Sequence, residues 1–197
     1  MQDIIIVSGF GRCGTSVTMQ MLKAAGLDVL GKPPAFEIDE TDAINFQADW
    51  VAKQYGKVLK ILIPKQCNLI PSNYKFIWCH RDPFECAASQ AKFGEIISQG
   101  LIKSTPNLIM KFYHKNVKDE PLQMNYLTKL GSVCVIRFED IIRTPKTVSE
   151  ILADYLNKDF DIEKMANVVL FRDVKCQPNL NIEMGLVERE NGNVDDI

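Results

Sequence analysis

Ile4-Ile5-Ile6-Val7 opens the chain as an apolar, β-branched run with no polar face. Such a run reads as a strand buried on both sides and predicts one over Asp3–Ser8. Thr15 to Ala25 follows at helical spacing and is ended by Gly26. Beyond a Pro33-Pro34 loop the pattern is helical from about Asp39 to Gln54, then extended over Lys57–Ile63 and again over Tyr74–His80. Asp82-Pro83 supplies a cap and a first-turn proline for a helix running to about Lys92. From Glu95 to Leu130 the pattern is helical but irregular, with breaks expected at Gly100, Pro106 and Pro121. Ser132–Phe138 reads as a further buried strand, followed by a helix over Pro145–Leu156 and short helical pieces to Phe171. The polar tail from Glu188 carries Asn-Gly and is expected to be mobile. Strands alternate with helices, and neither a repeat nor a linker divides them. The expectation is one α/β domain on a mostly parallel sheet, residues 1–187, with a tail at 188–197.

Composition narrows the class. The 197 residues are 46% hydrophobic and 24% charged, which excludes a disordered or low-complexity chain. Lys plus Arg number 23 against 25 Asp plus Glu, and a net charge of −2 argues against nucleic acid as the partner. Local basic clusters remain able to bind a small anion. No apolar run approaches the roughly 18 residues of a membrane span. The short apolar start also lacks the basic stretch of a secretory signal, so the expected setting is cytoplasmic. Cys13, Cys67, Cys79, Cys86, Cys134 and Cys176 form no CxxC pair, so neither a zinc site nor a thioredoxin-like centre is expected. They read as reduced and mostly buried, with Cys13 set apart by its place in a glycine-rich loop.

That loop, Gly9-Phe10-Gly11-Arg12-Cys13-Gly14, satisfies two phosphate-binding patterns at once. Gly9, Gly11 and Gly14 fit G-x-G-x-x-G, and Gly9 and Gly14 with Thr15-Ser16 fit a phosphate loop that lacks its lysine. Both place backbone N–H groups and a helix N-terminus where an anion sits. A dinucleotide site wants a carboxylate about 20 residues on, where Val29-Leu30-Gly31-Lys32 stands instead. A nucleoside-triphosphatase wants lysine at the Thr15 position and a strand ending in Asp for magnesium. A third class fits better: a phosphate ester whose transferable group carries little charge and needs no metal. A second anion site is suggested by Arg81 at the end of an apolar strand and Ser89 in the second turn of the next helix.

Taken together, these segments resemble the PAPS-dependent sulfotransferases, whose donor is 3′-phosphoadenosine 5′-phosphosulfate. Gly11-Arg12-Cys13-Gly14-Thr15-Ser16 is similar to their 5′-phosphosulfate loop, and Arg81 with Ser89 to their 3′-phosphate motif. Arg137-Phe138-Glu139-Asp140 is similar to their Arg-Tyr-Glu-Asp segment, and Phe36-Glu37 with Ala43-Ile44-Asn45 to a segment of bacterial members. The resemblance spans roughly residues 4–156. It implies a single P-loop-type, three-layer α/β domain with a mostly parallel central sheet flanked by helices. It implies that Gly11, Arg12, Cys13, Gly14, Thr15 and Ser16 hold the 5′-phosphosulfate, that Arg81 and Ser89 grip the 3′-phosphate, and that Phe138 stands near adenine or in the core.

Sulfuryl transfer in that family runs in line to a hydroxyl or amine and leaves adenosine 3′,5′-bisphosphate. Arg12 is the first candidate for electrostatic stabilisation there. Lys60 matches a family lysine, but Leu62 occupies the position of the histidine base of cytosolic members. Glu37 is the substitute, with Glu40 as an alternative; His80 and His114 read as structural. The alternatives are a nucleotide-binding module without transfer activity and a small P-loop kinase using Mg-ATP. The acceptor, a small molecule, lipid, glycan or peptide, would be held by the Lys32–Glu40 loop, the Glu95–Leu130 region and the C-terminal segment.

Overall fold

Tyr74–His80 is extended as its apolar run predicts, and it has a paired strand on either side. The computed structural model describes residues 2–38 and 48–169. In chain order the strands are β1 (Ile4–Gly9), β2 (Asp28–Val29), β3 (Lys57–Lys60), β4 (Tyr74–His80) and β5 (Gly131–Arg137). The helices are α1 (Thr15–Ala24), α2 (Ala48–Val51), α3 (Pro83–Ile97), α4 (Pro106–Leu130), α5 (Phe138–Arg143), α6 (Pro145–Leu156) and α7 (Ile162–Ala166). All strand pairs are parallel, in the order β2-β3-β1-β4-β5. Ile6 lies between Leu59 and Phe76, and Trp78 pairs with Val135.

The side-chain alternation of β4 defines three layers. Its odd positions face one helical layer: Lys75 donates to the Tyr155 carbonyl on α6, and the Cys79 thiol lies 3.4 Å from the Thr18 hydroxyl on α1. Its even positions face the other, where the Trp78 indole donates to Glu120 on α4. β1 is buried at every residue, because a central parallel strand is covered on both faces. β1 pairs with β3 on one side and β4 on the other, and the connection from β3 to β4 crosses over it, so the strand order reverses beside it. The crevice at the carboxyl ends of β1, β3 and β4 is where ligands bind in such sheets.

Several boundaries differ from the sequence expectation. β3 stops at Lys60 and gives way to a 3₁₀ turn at Pro64–Cys67. α3 runs past Lys92 to Ile97 and is followed by left-handed Gln99 and Gly100. α4 is one helix through Pro121. The missing Pro121 N–H would have bonded the carbonyl of Val117, on an exposed side of the helix where water can take its place. β5 is not the buried strand expected: among the described residues it is an edge of the sheet, with Ile136 buried and Val135 50% exposed. Phe138 begins α5 instead of ending β5. The expected helix from Asp39 to Gln54 is seen over Ala48–Val51, its earlier part lying outside the described residues, as do Glu40, Ala43, Ile44, Asn45, Phe171, Cys176 and the tail. Cys13, Cys79 and Cys86 are buried, while Cys67 and Cys134 are half-buried. Among the described residues no helix is long and apolar enough to cross a membrane.

Candidate functional site

The glycine-rich turn leaves β1 through Gly9, whose φ of 148° and close approach to the Cys79 carbonyl exclude a side chain: a Cβ there would sit 2.5 Å from that oxygen. Gly14 caps α1 at φ 92°, and a Cβ on it would meet the Phe138 ring at 2.9 Å. Between them Arg12 adopts φ 75°, a left-handed conformation that costs a non-glycine residue roughly 1–2 kcal/mol. Contacts behind the loop hold that conformation. Arg81 donates to the Arg12 carbonyl at 3.0 Å, Gln90 donates to the Gly11 carbonyl at 3.0 Å, and the Cys86 thiol reaches the same carbonyl at 3.4 Å. With both carbonyls turned inward, the first N–H groups of α1 face the crevice. Gly14 offers them no side-chain cap, and the first turn carries no carboxylate. The positive end of the helix is therefore directed at whatever occupies the crevice.

Two cation clusters flank that helix end. On the β4 side, Arg81 is buried, stacks over Phe138 at 4.3 Å and approaches Glu85 at 4.0 Å. The Arg12 side chain donates to the Ser89 hydroxyl at 3.3 Å and lies 5.0 Å from the centre of the Phe93 ring. The corner bearing Arg81 is tied down by Glu139, which accepts from the backbone N–H of Asp82 at 3.0 Å. Asp82 in turn caps α3 through Phe84 and Glu85.

On the β3 side stands Lys60, its side chain only 2% exposed. A buried ammonium requires anionic and polar partners, and here they are the Ala35 carbonyl at 2.5 Å, the Ser16 hydroxyl at 3.3 Å and the Glu37 carboxylate. Glu37 is 44% exposed and is carried on a turn closed by Phe36 N–H to the Lys32 carbonyl at 2.7 Å, with Phe36 itself buried. A cavity of about 280 Å³ opens beside the pair, lined by Glu37, Lys60, Leu62, Gln66 and Cys67 among others.

No family model matches the chain, and no curated protein matches it in sequence. Solved structures do. The chain superposes on mouse sulfotransferase SULT7A1, crystallised with PAP, with a TM-score of 0.54 at 16% identity, over 85% of this chain and 63% of that one. It superposes on sulfotransferase STF9 from Mycobacterium avium with a TM-score of 0.55 at 12% identity, over 100% of this chain and 77% of that one. Sulfotransferase STF1 from Mycobacterium tuberculosis H37Rv gives a TM-score of 0.52 at 13% identity, over 98% of this chain and 77% of that one. The chain has the sulfotransferase fold. It spans less than two thirds of the mouse protein's length.

On this sulfotransferase fold the expected site residues fall into two connected groups. Arg12, Arg81, Ser89 and Phe138 form one, joined through the Arg12 backbone and the Arg81–Phe138 stack. Ser16, Glu37 and Lys60 form the other. Gly11, Cys13, Gly14 and Thr15 lie on the loop between them. A Cβ at Gly11 would meet nothing within 4 Å, so steric need does not explain that glycine. The Cys13 side chain turns away from the crevice and lies 3.3 Å from the Cys86 sulfur. That contact and burial raise its thiol well above the usual range, which makes it a packing group. His80 pairs with Glu120 at 2.7 Å against α4, and His114 packs edge-on against Tyr113. Sequence reasoning missed Gln90 and Asn116. Asn116, buried on α4, donates to the Gln90 carbonyl oxygen at 3.1 Å, and Gln90 passes that order to the loop. No motif marks either one; only the i, i+4 relation of Cys86 and Gln90 places both on the face of α3 that meets the loop.

Proposed function

We propose that this protein is a metal-independent sulfotransferase. It binds 3′-phosphoadenosine 5′-phosphosulfate over the start of α1 and passes the sulfuryl group to a hydroxyl or amine beside Glu37. The observation that carries the reading is the placement of two cation clusters, Arg12–Arg81–Ser89 and Lys60–Ser16, on opposite flanks of one uncapped helix N-terminus. The loop N–H groups with Arg12, and Arg81 with Ser89, suit a ligand with two separated anionic groups better than one with a single phosphate run.

When bound, the donor supplies a sulfuryl group on a phosphate leaving group. The chain's residues supply the rest. Gly14, Thr15 and Ser16 present backbone N–H groups, and Arg12 adds positive charge from the loop; preorganised donors of this type contribute on the order of 10²–10³ each in rate. Arg81 and Ser89 hold the 3′-phosphate end, so that Arg81 serves both ligand and loop. Glu37 takes the acceptor's proton in place of the histidine that Leu62 replaces, a role worth roughly 10²–10⁴. Lys60 fixes the Glu37 carboxylate and bridges it to Ser16 on the loop. The adjacent cavity, with Ile61, Leu62 and Ile63 in its wall, holds the acceptor.

The reading is tested by incubating the protein with the donor and a panel of phenols, alcohols and amines in excess EDTA. Release of adenosine 3′,5′-bisphosphate only when an acceptor is present is the expected outcome. Phosphoryl transfer from Mg-ATP with no reaction of the phosphosulfate would overturn it in favour of a kinase.

A further inference from the structure

The hairpin of α3 and α4 carries a surface that the sulfotransfer reading does not use. Between the two helices the chain turns at Gln99 and Gly100, both left-handed, and presents Leu101 at 90% and Ile102 at 52% exposure. This is a built turn. Gly100 N–H donates to the Glu95 carbonyl at 2.8 Å, Leu101 N–H to the Ser98 carbonyl at 3.0 Å and Ile102 N–H to the Ser98 hydroxyl at 2.9 Å. Glu95 clamps the far side through the Ser104 N–H at 3.1 Å. Two aliphatic side chains are thus held in water on a hydrogen-bonded turn.

The helix that follows continues the pattern. None of residues 106–115 is buried, although they include Leu108, Ile109, Met110, Phe112 and Tyr113. Met110, Val117 and Pro121 form one exposed apolar stripe at i, i+7 and i+11. Lys111, Lys115 and Lys118 form an exposed basic stripe at i, i+4 and i+7, about 100° away around the helix. Lys103 at the tip is paired with Glu95 at 3.4 Å, and Asp119 and Glu120 follow the stripe, so among the described residues its free basic charge is that of Lys111, Lys115 and Lys118. An exposed apolar turn leading into a helix that pairs an apolar with a lysine stripe matches an interface rich in anionic headgroups. The apolar side chains enter the acyl boundary and the lysines stay at the headgroups.

We infer that the tip Leu101-Ile102 and the exposed face of α4 dock this protein peripherally on an anionic lipid bilayer. The charge complementarity of the lysine stripe and the full exposure of Leu101 favour a fluid surface over a protein groove.

The test is flotation of the full chain with vesicles of phosphatidylserine and phosphatidylcholine, against phosphatidylcholine alone. The expected result is binding to the anionic vesicles that weakens with salt. Combined Lys111→Ala, Lys115→Ala and Lys118→Ala lowers the partition roughly hundredfold, about fivefold for each lysine near such a surface. Leu101→Asp with Ile102→Asp lowers it tenfold or more. All five positions are exposed, so an unchanged melting temperature shows that these variants remain folded. Failure of the wild type to float at low salt overturns the inference, as does equal flotation of the Leu101→Asp/Ile102→Asp variant. Retention on heparin resin without vesicle binding would reassign the lysines to a soluble polyanion and also overturn it.

Discussion

Asn116 orders the glycine loop at one remove, through Gln90, and Asn116→Asp exposes that dependence without creating a cavity. The Gly11 carbonyl can only accept, so Gln90 must turn its NH₂ toward it, at 3.0 Å. The Gln90 carbonyl oxygen then faces Asn116, which must donate, at 3.1 Å. A carboxylate at 116 sets acceptor against acceptor. Either the two oxygens repel, or Gln90 rotates and turns its own oxygen on the Gly11 carbonyl. One buried group is unsatisfied in both cases, at about 1–3 kcal/mol, and the burial of a charge adds to it. The expected loss of stability is therefore at least about 2 kcal/mol, read from urea unfolding at pH 7.5. A protonated carboxyl can donate to Gln90, so the deficit narrows on acidification to pH 5. Affinity for adenosine 3′,5′-bisphosphate falls roughly tenfold through the disordered loop. A stability change below about 0.5 kcal/mol, or a deficit that does not shrink at pH 5, would refute the relay.

Further outcomes follow from single residues. If Glu37 is the base, as proposed, Glu37→Gln lowers turnover by roughly 10²-fold or more while the bisphosphate dissociation constant stays within about twofold; unchanged turnover would move the base elsewhere. Gly14→Ala forces a side chain onto φ 92° and into the Phe138 ring, and destabilises by about 1–3 kcal/mol in thermal melts, whereas an unaltered melt would contradict the observed packing. Burial pushes the Cys79 thiol and the Tyr74 phenol both up to about 12. Each group keeps its proton in the folded state after the unfolded chain has lost its own, so stability is full below pH 9 and declines as pH rises toward 12. Melting temperatures across that window check this, and a flat profile from pH 9 to 11.5 would contradict it.

The parts of the fold that could be read from the sequence are those where one local signal sufficed. Tyr74–His80 and Pro145–Leu156 come out as expected, the first from its apolar extended run and the second from a first-turn proline ahead of a helically spaced apolar pattern. The glycine loop was equally readable, since Gly9 and Gly14 are needed for backbone reasons that leave no substitute. β5 was misread because Val133, Val135 and Ile136 look the same on an edge as in the centre; exposure depends on which helix covers them, which no local pattern records. Pro121 misled because the penalty for a helical proline depends on whether the orphaned carbonyl can reach water. Within the site, the motif residues Arg12, Arg81 and Ser89 were visible, but their joining through the Arg12 carbonyl and hydroxyl contacts was not. The Lys60–Glu37 pair joins a strand end to a loop 23 residues earlier in the chain, a meeting that only the parallel crossover produces. Gln90 and Asn116 carried no signal, since a buried amide announces itself only through its partner.

The proposed function stands on a site for a nucleotide phosphorylated at both the 3′ and 5′ ends, and calorimetric titration probes that site. Adenosine 3′,5′-bisphosphate is titrated into the protein in excess EDTA, with adenosine 5′-phosphate as the comparison. The account requires binding without metal that weakens by at least about tenfold, or roughly 1.4 kcal/mol, when the 3′-phosphate is absent. Equal affinity for the two nucleotides, or no heat from either with a folded sample, would contradict it.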